Sequence, residues 1–183
     1  MNSIAALADK IEEQNLWHKE LHLSRNEYLK MADTTDTNLY YIVSGSVHIF
    51  VEQEERLHTI RLGYEGNFIG ALDSFITEKS SPFYIQAIKK THFKVVSKAA
   101  FMGLVQSSKE LFTLWYTILE QLVYQQMERE KDLLLDAPKA RYERVWNRSP
   151  QLFQHIPHKY IASYLRMTPE TLSRIKKGKG SNS

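Results

Sequence analysis

Apolar residues in this chain recur first at helical spacing, then in short alternating runs, then at helical spacing again. Ile4, Leu7 and Ile11, three and four apart, predict a helix over residues 3–14. Between residues 28 and 97, segments rich in β-branched and aromatic residues alternate with turn residues. They cover 28–31, 39–43, 47–51, 57–62, 68–69, 83–88 and 93–96. Short strands with close turns predict an antiparallel sandwich or jelly roll. Ser24 and Glu27 have capping-box spacing, which would make 28–31 helical; we read a strand there. A long helix follows. Ser107 and Glu110 form a capping box, and neither Gly nor Pro occurs from there to Leu135. About 28 residues would span roughly 40 Å. Leu111, Leu114, Trp115, Ile118, Leu119, Leu122 and Val123 make a wide apolar stripe, more than a small body covers. Dimerisation along Leu111, Trp115, Ile118 and Leu122 is the expected use, with one face on the chain's own β-body.

Pro138 opens another helix to about Arg148, with Ala140, Val145 and Trp146 inward. Ser149-Pro150 then leads a short turn carrying Leu152, Phe153 and Ile156. Residues 157–177 read as two short helices joined tightly. Ile161, Ala162 and Leu165 supply the apolar face of the first. Thr168 has an N-cap oxygen, and Pro169 sits where the first helical N–H is unused. Leu172 and Ile175 turn the second helix towards the first. Glu170, Thr171, Ser173, Arg174, Lys176 and Lys177 then face outward, the polar and basic surface a major-groove reader needs. Residues 178–183 read as a flexible tail.

Charge sharpens the picture. Residues 139–183 hold ten Lys/Arg against two acids, a net of +8, and the first 138 residues carry −5. A basic end on an acidic body points to a polyanionic partner for the end alone. The 43% hydrophobic content excludes a wholly disordered chain. Without cysteine there are no disulfides, thiolate zinc sites or iron–sulfur clusters. No apolar run approaches membrane-span length, and the start lacks a signal-peptide pattern, so the expectation is a cytoplasmic protein with no membrane partner. The seven histidines are scattered, without a His-x-His strand pair, so no metal site and no cofactor are expected. Neither a Gly-x-Ser-x-Gly nor a phosphate-loop pattern occurs, which argues against an enzyme.

Gly63, Gly66 and Gly70 cluster before Ala71-Leu72-Asp73-Ser74-Phe75. The polar run 77–81, Pro82 and a strand follow. Glycines allow sharp turns and close approach to a ligand, and a turn into a short helix offers free N–H groups.

Asn38-Leu39-Tyr40-Tyr41-Ile42-Val43-Ser44-Gly45-Ser46-Val47, followed by Gly66-Asn67-Phe68-Ile69-Gly70, resembles the cyclic-nucleotide-binding fold of the Crp/Fnr family of bacterial transcription regulators. The long helix resembles that family's dimerisation helix, and 168–174 its recognition helix. The ending from Ile156 to Arg174 is similar to the Bacteroidetes-type branch. The resemblance implies an α+β chain. A cyclic-nucleotide-binding-like β jelly roll would span 1–107, a dimerisation helix 108–135 and an all-α helix-turn-helix domain 137–183. It also implies a homodimer on double-stranded DNA, with RNA polymerase as a further partner. The effector pocket would be built from Gly66, Phe68, Ile69, Gly70, Ala71, Leu72, Ser80 and Ser81. Glu170 and Arg174 match base-contacting positions, Thr168 and Thr171 phosphate-contacting ones. Lys176 and Lys177 add backbone charge.

The chain departs from the pattern in places. Ala71 stands where cyclic-AMP-binding members have a ribose-gripping glutamate. No arginine lies between Gly66 and Ala87 to pair with the cyclic phosphate, so cyclic AMP binding should be lost. The pocket then takes another small molecule or none. About six residues follow Lys177, too few for a wing, residues 149–157 are too short for two strands, and Arg166 sits in the turn where glycine is usual. The other reading is a ligand-sensing or interaction dimer whose vestigial helix-turn-helix no longer binds DNA.

Overall fold

The computed structural model describes residues 3–54 and 56–180. Eight strands build two four-stranded antiparallel sheets. One has the order β1 (Lys19–Leu23), β8 (Thr91–Val96), β3 (Leu39–Ser44), β6 (Phe68–Ile69). The other runs β2 (Tyr28–Lys30), β7 (Tyr84–Ala87), β4 (Ser46–Gln53), β5 (Arg56–Tyr64). Tyr40, Ile42, Ile69, Phe93 and Val95 of the first meet Val47, Ile49 and Ile85 of the second in one buried cluster. Alternation sets which residues enter it: β7 and β8 bury every second side chain along most of their length. Gly45 turns β3 into β4 at φ +101°, and a Cβ there would lie 2.5 Å from the Lys90 carbonyl oxygen.

Residues 28–31 are largely strand, as read, and the Ser24–Glu27 spacing makes a turn instead. The Glu27 carboxylate accepts from the Ser24 N–H, and the Glu27 N–H donates to the Ser24 carbonyl at 3.2 Å.

Helices close one end of this body. α1 (Ser3–Glu13) buries Leu7 and Ile11 against Phe101, Leu104 and Val105 of α3 (Lys98–Gln106) and Ile118 of α4 (Lys109–Leu133). The predicted capping box at Ser107 is displaced by one residue. Ser108 caps α4, its hydroxyl accepting from the Leu111 N–H at 3.2 Å, while Ser107 ends α3 by donating to the Leu104 carbonyl. The 25 residues of α4 span about 37 Å.

Four helices follow: α5 (Pro138–Arg148), α6 (Leu152–His155), α7 (His158–Tyr164) and α8 (Pro169–Gly180). Tyr142, Val145, Leu152, Ile156, Ile161, Leu165 and Leu172 form their core, which is continuous with Leu62 and Ile88 of the β-body. Among the described residues no strand follows β8, and residues 149–157 carry α6 instead. The expected tail is helical through Gly180, and its last three residues lie outside the described ones.

Candidate functional site

The tight helix pair is α7 and α8. Ile161, Ala162 and Leu165 are buried, as is Leu172 across from them. The turn between them passes through Arg166 at φ +51°, a left-handed conformation costing a non-glycine residue about 1–2 kcal/mol. Arg141 of α5 holds it: Nε donates to the Leu165 carbonyl at 2.9 Å, Nη2 to that of Arg166 at 3.1 Å and Nη1 to that of Asp136 at 3.2 Å. Thr168 caps α8, accepting from the Thr171 N–H at 3.2 Å.

The outer face of α8 carries the predicted residues in a row. Glu170, Ser173, Arg174 and Lys177 are exposed; Thr171 and Lys176 are half-buried. Arg174 Nη2 donates to the Thr171 hydroxyl at 3.4 Å. The Glu170 carboxyl is held below the usual carboxylate range by its own backbone N–H and by Thr168, so it lies over the helix start. Lys176 meets His158 Nε2; burial, and that cation beside it, push the His158 pKa down.

Three of the ten cations counted in this segment face inward. Asp132 of α4, 1% exposed, accepts from Arg144 Nε at 2.9 Å and from Arg148 Nη2 at 2.6 Å. Glu128 takes Arg144 Nη2 at 2.8 Å, and Arg141 serves the turn. The positive surface around the helix pair is Lys159, Arg166, Arg174 and Lys177, all exposed.

The glycine-rich segment divides. Gly66 turns β5 towards β6 at φ +81°, and α2 (Leu72–Thr77) starts at Ala71, which is 1% exposed. Ser80 is exposed, and Ser81 belongs to another set of contacts. Ser81 bridges Thr34, and its carbonyl accepts from the Asp33 N–H at 2.8 Å and from Lys30 Nζ at 3.1 Å. Lys30, 4% exposed, also donates to the carbonyls of Met31 and Phe83. Burial pushes its pKa down, against Asp73, Asp36 and Asp33. The segment around Ser81, where a cation for a phosphate was sought, thus turns carbonyls inward around a lysine of β2.

A cavity of about 200 Å³ opens elsewhere, between the β-body, α4 and the C-terminal helices. Of the residues named for the effector pocket, Phe68, Ile69, Gly70 and Leu72 line this cavity, and Gly66, Ala71, Ser80 and Ser81 are not among its lining. Arg61, Tyr64 and Asn67 of the β-body, Gln121 and Gln125 of α4, and Arg148, Ser149 and Tyr164 beyond it also line it. Sequence reading missed these because they come from four elements with no shared spacing.

The long helix also differs from expectation. Ile118 is 4% exposed, and Leu111, Trp115 and Leu122 pack with it on the chain's own core. The uncovered residues are Phe112, Tyr116, Val123, Tyr124 and Met127, each more than half exposed. Among the described residues, Glu20, His22 and His92 place potential ligand atoms within 4.8 Å of one another, on the β1–β8 pair. His22 and His92 are cross-strand neighbours, which a chain-order reading could not see. Among the described residues no helix is long and apolar enough to cross a membrane.

Comparisons with known proteins agree with this geometry. Residues 20–108 match the model of the cyclic nucleotide-binding domain. No curated protein sequence matches the chain. Among solved structures, FixK2 from Bradyrhizobium japonicum is 16% identical with a TM-score of 0.73, over 90% of this chain and 85% of its own. The c-di-GMP responsive global regulator CLP of Xanthomonas campestris is 16% identical with a TM-score of 0.70, over 96% and 92%. A transcriptional regulator of the CRP family from Thermus thermophilus is 15% identical with a TM-score of 0.64, over 88% and 85%. Residues 20–108 are therefore similar to a cyclic nucleotide-binding domain, and the chain as a whole shares the fold of these solved regulators.

Proposed function

We propose that the chain is a homodimeric, DNA-binding transcriptional regulator of the Crp/Fnr type, acting in the cytoplasm, whose effector pocket has lost cyclic AMP. The observation that carries the reading is α8. It is N-capped by Thr168, anchored through Leu172 and presents Glu170, Ser173, Arg174 and Lys177 to solvent. Arg174 is the base-reading candidate, forking to guanine; Thr168 and Thr171 suit phosphates. The ending's similarity to the Bacteroidetes-type branch fits this use, and RNA polymerase is the natural further partner of a bound dimer.

A second copy joins along α4. The seam belongs to Phe112, Tyr116, Val123, Tyr124 and Met127, since the inner stripe is spent on the protomer's own core. Loss of cyclic AMP is supported by Ala71 and by the carbonyl-lined Lys30 site in the loop.

Gel shift at graded salt tests the reading. A regulator binds a promoter duplex about 10³-fold or more tighter than random duplex, and both affinities fall as salt rises. Equal, weak retention of all duplexes would favour the sensing or interaction dimer with a vestigial helix-turn-helix.

A further inference from the structure

The cavity between the β-body, α4 and the C-terminal helices contains a cation with no counter-ion among the described residues. Arg61 stands on β5 opposite Ile49 and lines the cavity. Among the described residues its guanidinium has neither a carboxylate nor a hydrogen-bond acceptor as partner. Its neighbours differ. Arg148, on the same cavity, is paired with Asp132, and Arg129 donates to two carbonyls. Burial pushes the Arg61 pKa down, with Tyr164 acting the other way. Arg61 is half-buried, and a charge held there without a partner among the described residues is left for something else to use.

The rest of the lining suits a ligand. Phe68, Trp115, Ile118 and Leu122 give apolar walls, and Gln121 and Gln125 add amides. Apolar walls with a few polar groups are the usual make-up of a small-molecule site. At ~30 Å³ per water the space holds roughly seven waters, less than the ~300–1,000 Å³ of drug-sized sites. We propose that this cavity binds a small organic anion, its carboxylate or phosphate forked to Arg61 and its apolar body against Trp115 and Leu122. This names the effector class for the regulator proposed above and rests on that reading only for the consequence at DNA. Val145, Leu152 and Tyr164 form part of the wall, so an occupant touches the unit that carries α8.

The test uses the full chain with benzoate, phenyl phosphate and uncharged benzamide, by thermal shift and titration calorimetry. At about ten times its Kd, an anion should raise Tm by about 3–6 °C, and benzamide should not. The larger response of the two tells carboxylate from phosphate. Arg61→Met, which removes the unpaired cation, should keep or raise the ligand-free Tm and abolish the anion response. The proposal is overturned if neither anion shifts Tm at 10 mM, if benzamide matches them, or if Arg61→Met responds as the parent does. A ligand-free Arg61→Met Tm several degrees below the parent would make Arg61 structural and also overturn it. A chain that binds the anions but no duplex would keep this site and lose the regulator reading. One that binds a duplex and ignores both anions would do the reverse.

Discussion

The Arg129 guanidinium lies 3.6 Å from the centre of the Tyr164 ring and donates to the Tyr164 carbonyl at 2.7 Å. Its other arm donates to the Thr59 carbonyl of β5 at 3.0 Å. One side chain of the long helix thereby ties the β-body to the first helix of the helix pair. Burial lowers its pKa, chiefly against Tyr164, yet a guanidinium remains charged. Arg129→Met would leave two carbonyls short of a donor and remove a stacked cation. A loss of about 2–4 kcal/mol is expected in denaturant unfolding. Arg129→Lys should recover only part of it, because an ammonium cannot fork to both carbonyls while stacking. Equal stability of the parent and Arg129→Met would show that the tie contributes nothing.

The two faces of α4 give a paired prediction. Val123 is 61% exposed, and a glutamate there meets water in the protomer but a partner's apolar face in a dimer. Val123→Glu should halve the mass seen by sedimentation and leave the protomer folded. Leu122, one residue back, packs on the protomer core. Leu122→Glu should instead cost about 2–4 kcal/mol of protomer stability. If Leu122→Glu alone split the dimer, the seam would be on the inner face.

Much of this architecture was legible in the chain. Strong alternation gave the strands from β3 to β8, and Thr168-Pro169 marked the start of α8. The reading failed where neighbours in space decide. β1 alternates, but the described edge leaves Lys19, Glu20 and His22 exposed, so Leu21 and Leu23 were too little signal. α3 is short and directly precedes α4, which hid its Ser97 cap. The apolar stripe of α4 showed surplus surface without saying which side the protomer consumes. Arg61 carried no motif at all, because its lack of a partner among the described residues is decided by what other elements place beside it.

His48 makes stability depend on pH. It is 2% exposed, shares Nε2 with the Gln86 side chain at 2.9 Å, stacks on Phe50 and meets Tyr160 edge-on. Burial pushes its pKa below the ordinary value of 6.5, with Lys159 adding to the shift. The unfolded chain therefore takes up a proton at higher pH than the folded one. The associated stability is complete above pH ~6.5 and drains as pH falls through the folded pKa. From pH 7 to 5 the loss should approach at most about 1.4 kcal/mol per pH unit. His48→Gln should flatten that slope, leaving the part due to His158. An unchanged slope would remove His48 as its source.

Cyclic AMP should leave Tm unmoved at millimolar concentration. Ala71 offers no ribose acceptor, and Lys30, buried beside Ser81, is committed to three carbonyls. A rise of several degrees would mean that the nucleotide finds another cation, with Arg61 the first to substitute.

Arg174 carries the most direct test of DNA reading. It is exposed in the second turn of α8, and its side chain's only hydrogen bond among the described residues is the 3.4 Å contact to Thr171. Such a contact is at the long limit and is readily exchanged for a guanine edge. Arg174→Ala should weaken binding to a specific duplex by about 1–3 kcal/mol and relax base preference at one position per half-site. Lys177→Ala should weaken all duplexes alike and make the salt dependence shallower by about one unit. Competition gel shifts over a base-substituted set separate the two. Uniform weakening by Arg174→Ala would assign it to the phosphate backbone and leave sequence reading to Glu170 and Ser173.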